Sequence, residues 1–398
     1  MPNESTVGTS LAGHRTRSAT LSDFNVRSLF PGLSRVLYFN TASYAVGATP
    51  VRDALRHSVD AWVDGTLRWE DTLDATNSAR ALFARIVNAT HDAIALVPYV
   101  STAAGVVAAQ FPPARHGENV LVPENEFSSN YYPWLLLRER GYDVRRVAAI
   151  DGALPPVAFA KYADGGTRLI AVSAVQAATG YRLDLPAISE VARQSGAWLF
   201  VDGAQAVGAV DIDVMRDGID FLAVPSHKYL LGTRGMGYLY VRGKLLSRMT
   251  PILAGWHAAP EPLNSFFGPE MVLSKTASKL DTSQAWFSAF AEPHALAILD
   301  RFGIAQVVQR NRQLTQYLYE QLGARGLLAH AFHEANRSPI VTLRLNDATA
   351  CVAHLAAIGA VVGLRQERIR LSVHFYNTES EIDRVIALIK NYFDRSWR

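Results

Sequence analysis

Lys228 stands in "AVPSHKYLLGTRGMG" (residues 223–237), a stretch dominated by apolar, small and glycine residues. The chain has only six lysines against 33 arginines, so a lysine in such company invites a chemical explanation. An ammonium held against apolar surface costs desolvation energy unless its charge is lost or compensated. A lysine that forms an imine with an aldehyde escapes much of that cost. Asp202 closes the apolar run "AWLFVD" (197–202), 26 residues earlier. Alone it could simply cap a following helix. Paired with Lys228, the spacing fits one helical crossover and one return strand. The two side chains would then share one edge of a sheet. That juxtaposition suits pyridoxal 5′-phosphate: the lysine meets the aldehyde, and the carboxylate keeps the pyridine nitrogen protonated, so that the ring accepts electrons.

The elements that must place this pair are legible as a pattern. Residues 93–98, 119–123, 168–175, 197–202, 221–225 and 237–241 are short, nearly continuous apolar runs and read as strands buried on both faces. Helical stretches such as 101–111 and 185–196 lie between them. The alternation predicts an α/β domain with a mostly parallel sheet, whose ligands bind at the carboxyl ends of the strands. From about residue 286 the pattern changes. A long amphipathic helix over 295–322, a strand at 339–345, a helix at 348–359, a strand at 368–373 and a last helix at 379–393 predict a smaller α+β C-terminal domain. The expected division is a flexible polar arm (1–20), a segment packing on the small domain (21–45), the large domain (46–285) and the small domain (286–398).

Composition narrows the class. Half of the 398 residues are apolar, 19% are charged, and the net charge of +3 is spread without a basic block. This describes a packed enzyme and gives no footprint for nucleic acid. No apolar run is long enough for a membrane helix, and the polar N-terminus has no signal core. The single cysteine, Cys351, rules out an intramolecular disulfide, and the eleven histidines lack ligand-like spacing, so no metal site is expected. A cytoplasmic location is the expectation. "GTRGMG" (232–237) has the wrong spacing and precedes a strand, so it reads as a turn rather than a dinucleotide fingerprint.

"VDGAQAVG" (201–208) followed by "PSHKYLLGTRGMGYLYV" (225–241) resembles the fold-type I pyridoxal-phosphate enzymes of the class V aminotransferase group. The resemblance runs from "YFNTASYAVGATP" (38–50) to "RLSVHFYNTESEIDRVIALI" (370–389). It implies a three-layer transferase fold, pyridoxal 5′-phosphate as cofactor, a small amino-acid substrate and a homodimer with shared active sites. It makes Lys228 the Schiff-base lysine and general acid/base, Asp202 the partner of the ring nitrogen, and Gln205 a donor to the ring oxygen. Ser226 and His227 would contact the phosphate, with Ser101, Thr102 and Ala103 at a helix start, where free amides and the helix dipole favour an anion. Phe127, in "ENEFSSNYYPW" (124–134), would stack on the ring, where many members carry histidine. Thr282, in "LDTSQAW" (280–286), would reach a neighbouring subunit's phosphate, although Asp281 stands where relatives have glycine. Arg370 would grip the substrate α-carboxylate with its planar fork.

Departures from the group's pattern shape the expected reaction. Cysteine desulfurases need a nucleophilic cysteine ahead of the Arg370 region, and "GAVVGLRQERIRLSV" has none. Cys351 lies earlier, in an alanine-rich helix, where a thiol is ordinarily an inert small hydrophobe. Ala174 replaces a polar residue near the ring oxygen, with Gln176 as a possible substitute. Arg68, Trp69, Tyr131, Tyr132 and Trp134 are candidate pocket walls. The favoured reaction is C–S bond cleavage by β-elimination on an amino acid or S-conjugate in specialised metabolism, as in antibiotic-pathway members of the isopenicillin N epimerase-like and lincosamide branches. Decarboxylation-coupled oxidative deamination, transamination and epimerisation are the alternatives. A non-catalytic scaffold would have no use for the whole residue set, and a nicotinamide oxidoreductase lacks its glycine fingerprint.

Overall fold

Residues 26–396 are described by a computed structural model. The polar stretch 1–20, read as an arm, lies outside the described residues. The strands are β1 (Leu37–Phe39), β2 (Ile94–Val97), β3 (Asn119–Pro123), β4 (Asp143–Val147), β5 (Thr167–Ser173), β6 (Trp198–Asp202), β7 (Phe221–Pro225), β8 (Gly237–Val241), β9 (Ile340–Leu343), β10 (Ala360–Arg365) and β11 (Arg368–Ser372). The helices are α1 (Thr49–Val63), α2 (Trp69–Ile86), α3 (Val100–Ala108), α4 (Tyr132–Leu135), α5 (Pro156–Ala160), α6 (Leu185–Ser195), α7 (Gly243–Leu246), α8 (Trp286–Phe302), α9 (Ile304–Gly323), α10 (Ala348–Ala357) and α11 (Glu379–Ser396). Among the described residues no helix is long and apolar enough to cross a membrane, and no group of histidine, cysteine or acidic residues is arranged to hold a metal.

Seven strands form the large sheet in the order β2-β8-β7-β6-β5-β3-β4. β3 through β7 run parallel, and β8 runs antiparallel to both its neighbours. The apolar runs explain the burial on both sides. Leu199 and Val201 of β6 enter one core with Phe83 of α2, Ile188 of α6 and Leu296 of α8. Phe200, between them, enters the other core with Val106 and Val107 of α3. Alternate residues of a strand point to opposite faces, so an uninterrupted apolar run requires helices on both, and three layers result.

The smaller sheet has the order β1-β10-β11-β9 and packs on α9, α10 and α11 through Leu318, Cys351 and Ile386. Its first strand comes from the opposite end of the sequence, with Leu37 opposite Ala360 in parallel register. β10 and β11 form a hairpin in which Arg365 pairs with Arg368, so only two residues make the turn. Both, Gln366 and Glu367, have positive φ (47° and 59°), as the tightest hairpin turns demand.

Three expectations are corrected. The helix expected over 295–322 is two helices, broken at Gly303, whose φ of +78° no side chain would adopt comfortably. β1, β4 and β10 were not anticipated. The connection from β6 to β7 carries turns rather than a helix. Gly208 takes a φ of +85° there, and the Asp213 carboxylate accepts from the amides of Met215 and Arg216, both at 2.9 Å, closing a local turn instead.

Candidate active site

β6 and β7 are adjacent and parallel. Asp202 ends the first, and Lys228 follows the second by three residues, so both stand at the carboxyl edge of the sheet. They line one cavity of about 420 Å³ with Ser101, Phe127, Gln205, His227 and Arg370. A larger hollow of about 740 Å³ opens beside His330 but has no lysine on its wall.

The loop carrying Lys228 is held tightly. The amide of Ser226 donates to Met236 O at 3.0 Å, and that of Gly232 to Ser226 O at 3.1 Å. Beneath it, Ser226 Oγ and Tyr238 Oη both donate to Glu292 Oε1, the latter at 2.8 Å. Gly232 is obligatory, since a Cβ there would collide with Ser226 Oγ and Glu292 Oε2. Burial pushes the Lys228 amine down to about 8; Asp202 resists the shift, and Arg370, Arg365 and Arg234 reinforce it. Burial pushes Asp202 up to about 6, against the Ala204 amide and Lys228. The Ala204 N–H donates to Asp202 Oδ1 at 2.8 Å.

The ring of Phe127 faces Lys228, its centroid 5.6 Å from Nζ. Gln205 donates from Nε2 to Ala42 O at 2.9 Å, which leaves Oε1 buried without a partner. His227 is held neutral, its pKa pushed down to about 4 by burial and by Lys228 and Arg234, and its Nδ1 is also buried without a partner. α3 opens on Tyr99 without a side-chain cap, so first-turn amides beside Ser101 lack an intrahelical acceptor. Arg370 is 1% exposed. Its Nη1 donates to Ala177 O at 3.0 Å and its Nη2 to Ser43 Oγ at 2.8 Å, while Nε has no partner. Burial and the neighbouring Arg365 push it down to about 10.

Other expected residues lie elsewhere. Ser226 points down to Glu292 and is off the cavity wall, because the turn needs its hydroxyl there. Ala103 is fully buried, and its amide is already taken by Tyr99 O at 3.2 Å; Thr102 is off the wall too. Thr282 packs on β2, its amide donating to Leu96 O at 3.3 Å, and does not reach its own chain's cavity. Asp281 beside it forms a buried pair with Arg80, Nη2 to Oδ2 at 2.6 Å. None of the five proposed wall residues lines the cavity. Arg68 pairs with Asp71, Trp69 packs edge-on against Trp256 and Trp286, and buried Trp134 donates to Asn130 at 3.0 Å. Tyr131 and Tyr132 pack on each other. Gln176 turns to Glu126 at 3.4 Å.

Sequence reading missed Glu126, Ser43, Arg234, Arg365 and Glu292. Glu126 accepts from the Ser173 amide at 2.8 Å and from the Ser173 hydroxyl at 2.5 Å. Burial pushes it up to about 7, with Asp202 adding to the rise. A carboxylate inside the apolar stretch "AFAEPHALAI" (289–298) was the available signal for Glu292. Ser43 and Arg365 carry no such mark.

The donor set fits a flat, phosphorylated, aldehyde-bearing group. It offers an enclosed amine, a carboxylate for a ring nitrogen, an aromatic face, orphaned polar atoms on Gln205 and His227, and an uncapped helix start.

Residues 64–385 match the family described as aminotransferase class-V. The "Probable cysteine desulfurase" of Methanothermobacter thermautotrophicus is 30% identical over 386 residues, covering 90% of this chain and 95% of its own length. The "Uncharacterized aminotransferase YcbU" of Bacillus subtilis is 28% identical over 361 residues, with the same coverage. Among solved structures, the cystine C–S lyase C-DES in complex with its reaction product cysteine persulfide superposes with a TM-score of 0.82 at 21% identity, covering 90% of this chain and 98% of that one.

Proposed function

The chain belongs to the aminotransferase class-V family, and from that premise we propose that it is a pyridoxal 5′-phosphate enzyme that cleaves a C–S bond of an α-amino acid or S-conjugate by β-elimination. The observation that carries the amino-acid substrate is Arg370: a buried guanidinium with a free Nε and, among the described residues, no carboxylate partner, in the same cavity as Lys228 and Asp202; the choice of C–S cleavage is supported by the relatives named above. An uncompensated buried cation is costly, and a substrate carboxylate would relieve it. When bound, the cofactor supplies an electron sink for the pair released at the substrate Cα.

The chain's own residues do the rest. Asp202 would accept from the proton-bearing ring nitrogen of the cofactor and keep it protonated. The α3 amides and His227 take the phosphate end. Phe127 covers one ring face and keeps water off it, but carries no proton. Arg370, braced by Ser43 and Ala177, would hold the substrate α-carboxylate and so fix the orientation of Cα toward Lys228. Lys228, with an amine poised near neutral pH, removes the Cα proton. The C–S electron pair leaves with sulfur as a thiol, and water converts the remainder to a keto acid and ammonia.

Persulfide formation as in cysteine desulfurases is disfavoured. The two-residue β10–β11 turn leaves no loop for a nucleophile. Cys351 is buried in α10, and burial pushes its thiol up to about 11. We place the reaction in specialised rather than core sulfur metabolism, on the resemblance to antibiotic-pathway enzymes. The working unit is a homodimer in which a second copy covers Ile252, Leu253, Phe267 and Met271, Phe267 being 96% exposed; the Thr282 hydroxyl is buried in its own chain and does not present itself to a partner.

The protein should purify yellow and be bleached by borohydride, and Lys228→Ala should abolish the bleaching; a variant that remains reducible refutes the lysine assignment. With S-conjugates of cysteine, mass spectrometry should find free thiol and pyruvate. A keto acid retaining its sulfur would refute elimination and favour transamination.

A further inference from the structure

The cavity wall carries four cationic side chains, Lys228, Arg234, Arg365 and Arg370, against one carboxylate, Asp202. Arg365 and Arg370 converge on a single neutral atom. Their Nη2 groups donate to Ser43 Oγ at 3.2 and 2.8 Å. The Ser43 hydroxyl proton is committed to Asn40 Oδ1 at 2.8 Å, so its lone pairs face the two guanidiniums. Among the described residues neither arginine, nor Arg234, has a carboxylate within ion-pair distance. Two like charges meeting at one oxygen repel each other. Such an arrangement is satisfied when anions enter.

The two arginines sit at different depths. Arg370 is on the floor, fully buried. Arg365 is exposed at the hairpin corner, and the brevity of that turn sets it on the cavity rim, with Arg234 also exposed on the wall. Both are close enough to act electrostatically on Lys228, whereas His227 and the α3 amides are assigned above to the phosphate end. A single α-carboxylate at Arg370 would leave the rim arginines unmatched.

We propose that Arg365 and Arg234 form a second anion subsite at the rim, so that the substrate is an α-amino acid whose side chain carries another acidic group, such as a carboxylate-bearing S-conjugate. This deepens the reading above and rests on it for the role of Arg370. It predicts that chain length matters: the second acid must reach from Cα to the rim, and neutral side chains of equal size bind poorly.

The test is calorimetric titration of the cofactor-loaded protein with glutarate and with butyrate, unreactive acids differing by one carboxylate, at fixed ionic strength. Glutarate should bind roughly tenfold or more tightly. Arg365→Gln should erase most of that preference while leaving butyrate within about twofold, Arg365→Lys should retain part of it, and Arg234→Gln should reduce it. Absence of a dianion preference in the unmodified protein overturns the proposal. So does an equal loss of butyrate and glutarate binding in Arg365→Gln, since the two arginines would then clamp one carboxylate. Failure of the cofactor to load would instead refute the proposed function, and the glutarate preference can still be read on the purified chain.

Discussion

The ionisation of Lys228 gives the sharpest check on the site. Its amine is pushed from 10.5 down to about 8, equivalent to about 3 kcal/mol against the ammonium. At pH 7.5 about a quarter of such amines are neutral, against about one in a thousand for an ordinary lysine, a gain of roughly 200-fold in nucleophile. Burial is the main cause, and the surrounding charges act in opposite senses: Asp202 raises the value, while Arg370, Arg365 and Arg234 lower it. Asp202→Asn should therefore move the apparent pKa below 8, and Arg365→Gln should move it upward. The assay is reductive capture of pyridoxal phosphate by the cofactor-stripped chain in cyanoborohydride, from pH 6 to 11. The peptide bearing Lys228 is quantified by mass spectrometry, with N-acetyl-lysine as the reference. Capture should level off above about pH 8. A profile that keeps climbing past pH 10, or an upward shift in Asp202→Asn, would refute the electrostatic account of the cavity.

Two further outcomes concern the scaffold. Glu292 is fully buried, and burial pushes its carboxyl from 4.5 to about 7. The fold thus holds this proton more tightly than the unfolded chain. The stability it contributes is complete below pH 4.5 and lost as pH rises through 7, up to about 3 kcal/mol. Glu292→Gln should raise the melting temperature at pH 8 and leave it nearly unchanged at pH 4, measured by calorimetric scans; equal shifts at both values would contradict the assignment. Asp281→Ala strands Arg80, whose guanidinium is almost fully enclosed, and also frees the Leu96 amide held at 2.8 Å. Urea titration should show a loss of about 3–5 kcal/mol; a loss under 1 kcal/mol would mean that water reaches the pair.

The central strands were legible because burial on both faces leaves a continuous apolar signature, as in "WLFVD" and "FLAVP". β4 escaped because it is an edge strand whose charged Asp143, Arg145 and Arg146 interrupt the run. β1 is only three residues long, and β10 contains Gly363 and ends in Arg365. Asp202 and Lys228 could be found since each is an ionisable group at the end of an apolar run, whereas His227 and Arg370 were reached only through the family resemblance. Ser226 was misplaced because sequence shows adjacency, not direction: Glu292, 66 residues away, decides which way its hydroxyl points. Ser43 and Arg365 become neighbours only when the two ends of the chain pair, a contact across 322 positions that no local pattern encodes.

That end-to-end pairing has a consequence for biosynthesis. β1 emerges from the ribosome early, yet its partner β10 follows only after some 320 further residues. At about 5–20 residues per second the first strand waits on the order of tens of seconds. Throughout that interval Ser43 has no Arg370 to brace, so a nascent chain could assemble the large sheet and still be unable to grip an amino acid. Competence arrives with the final forty residues, and truncation from the C-terminus should silence substrate recognition before it disturbs the older part of the molecule.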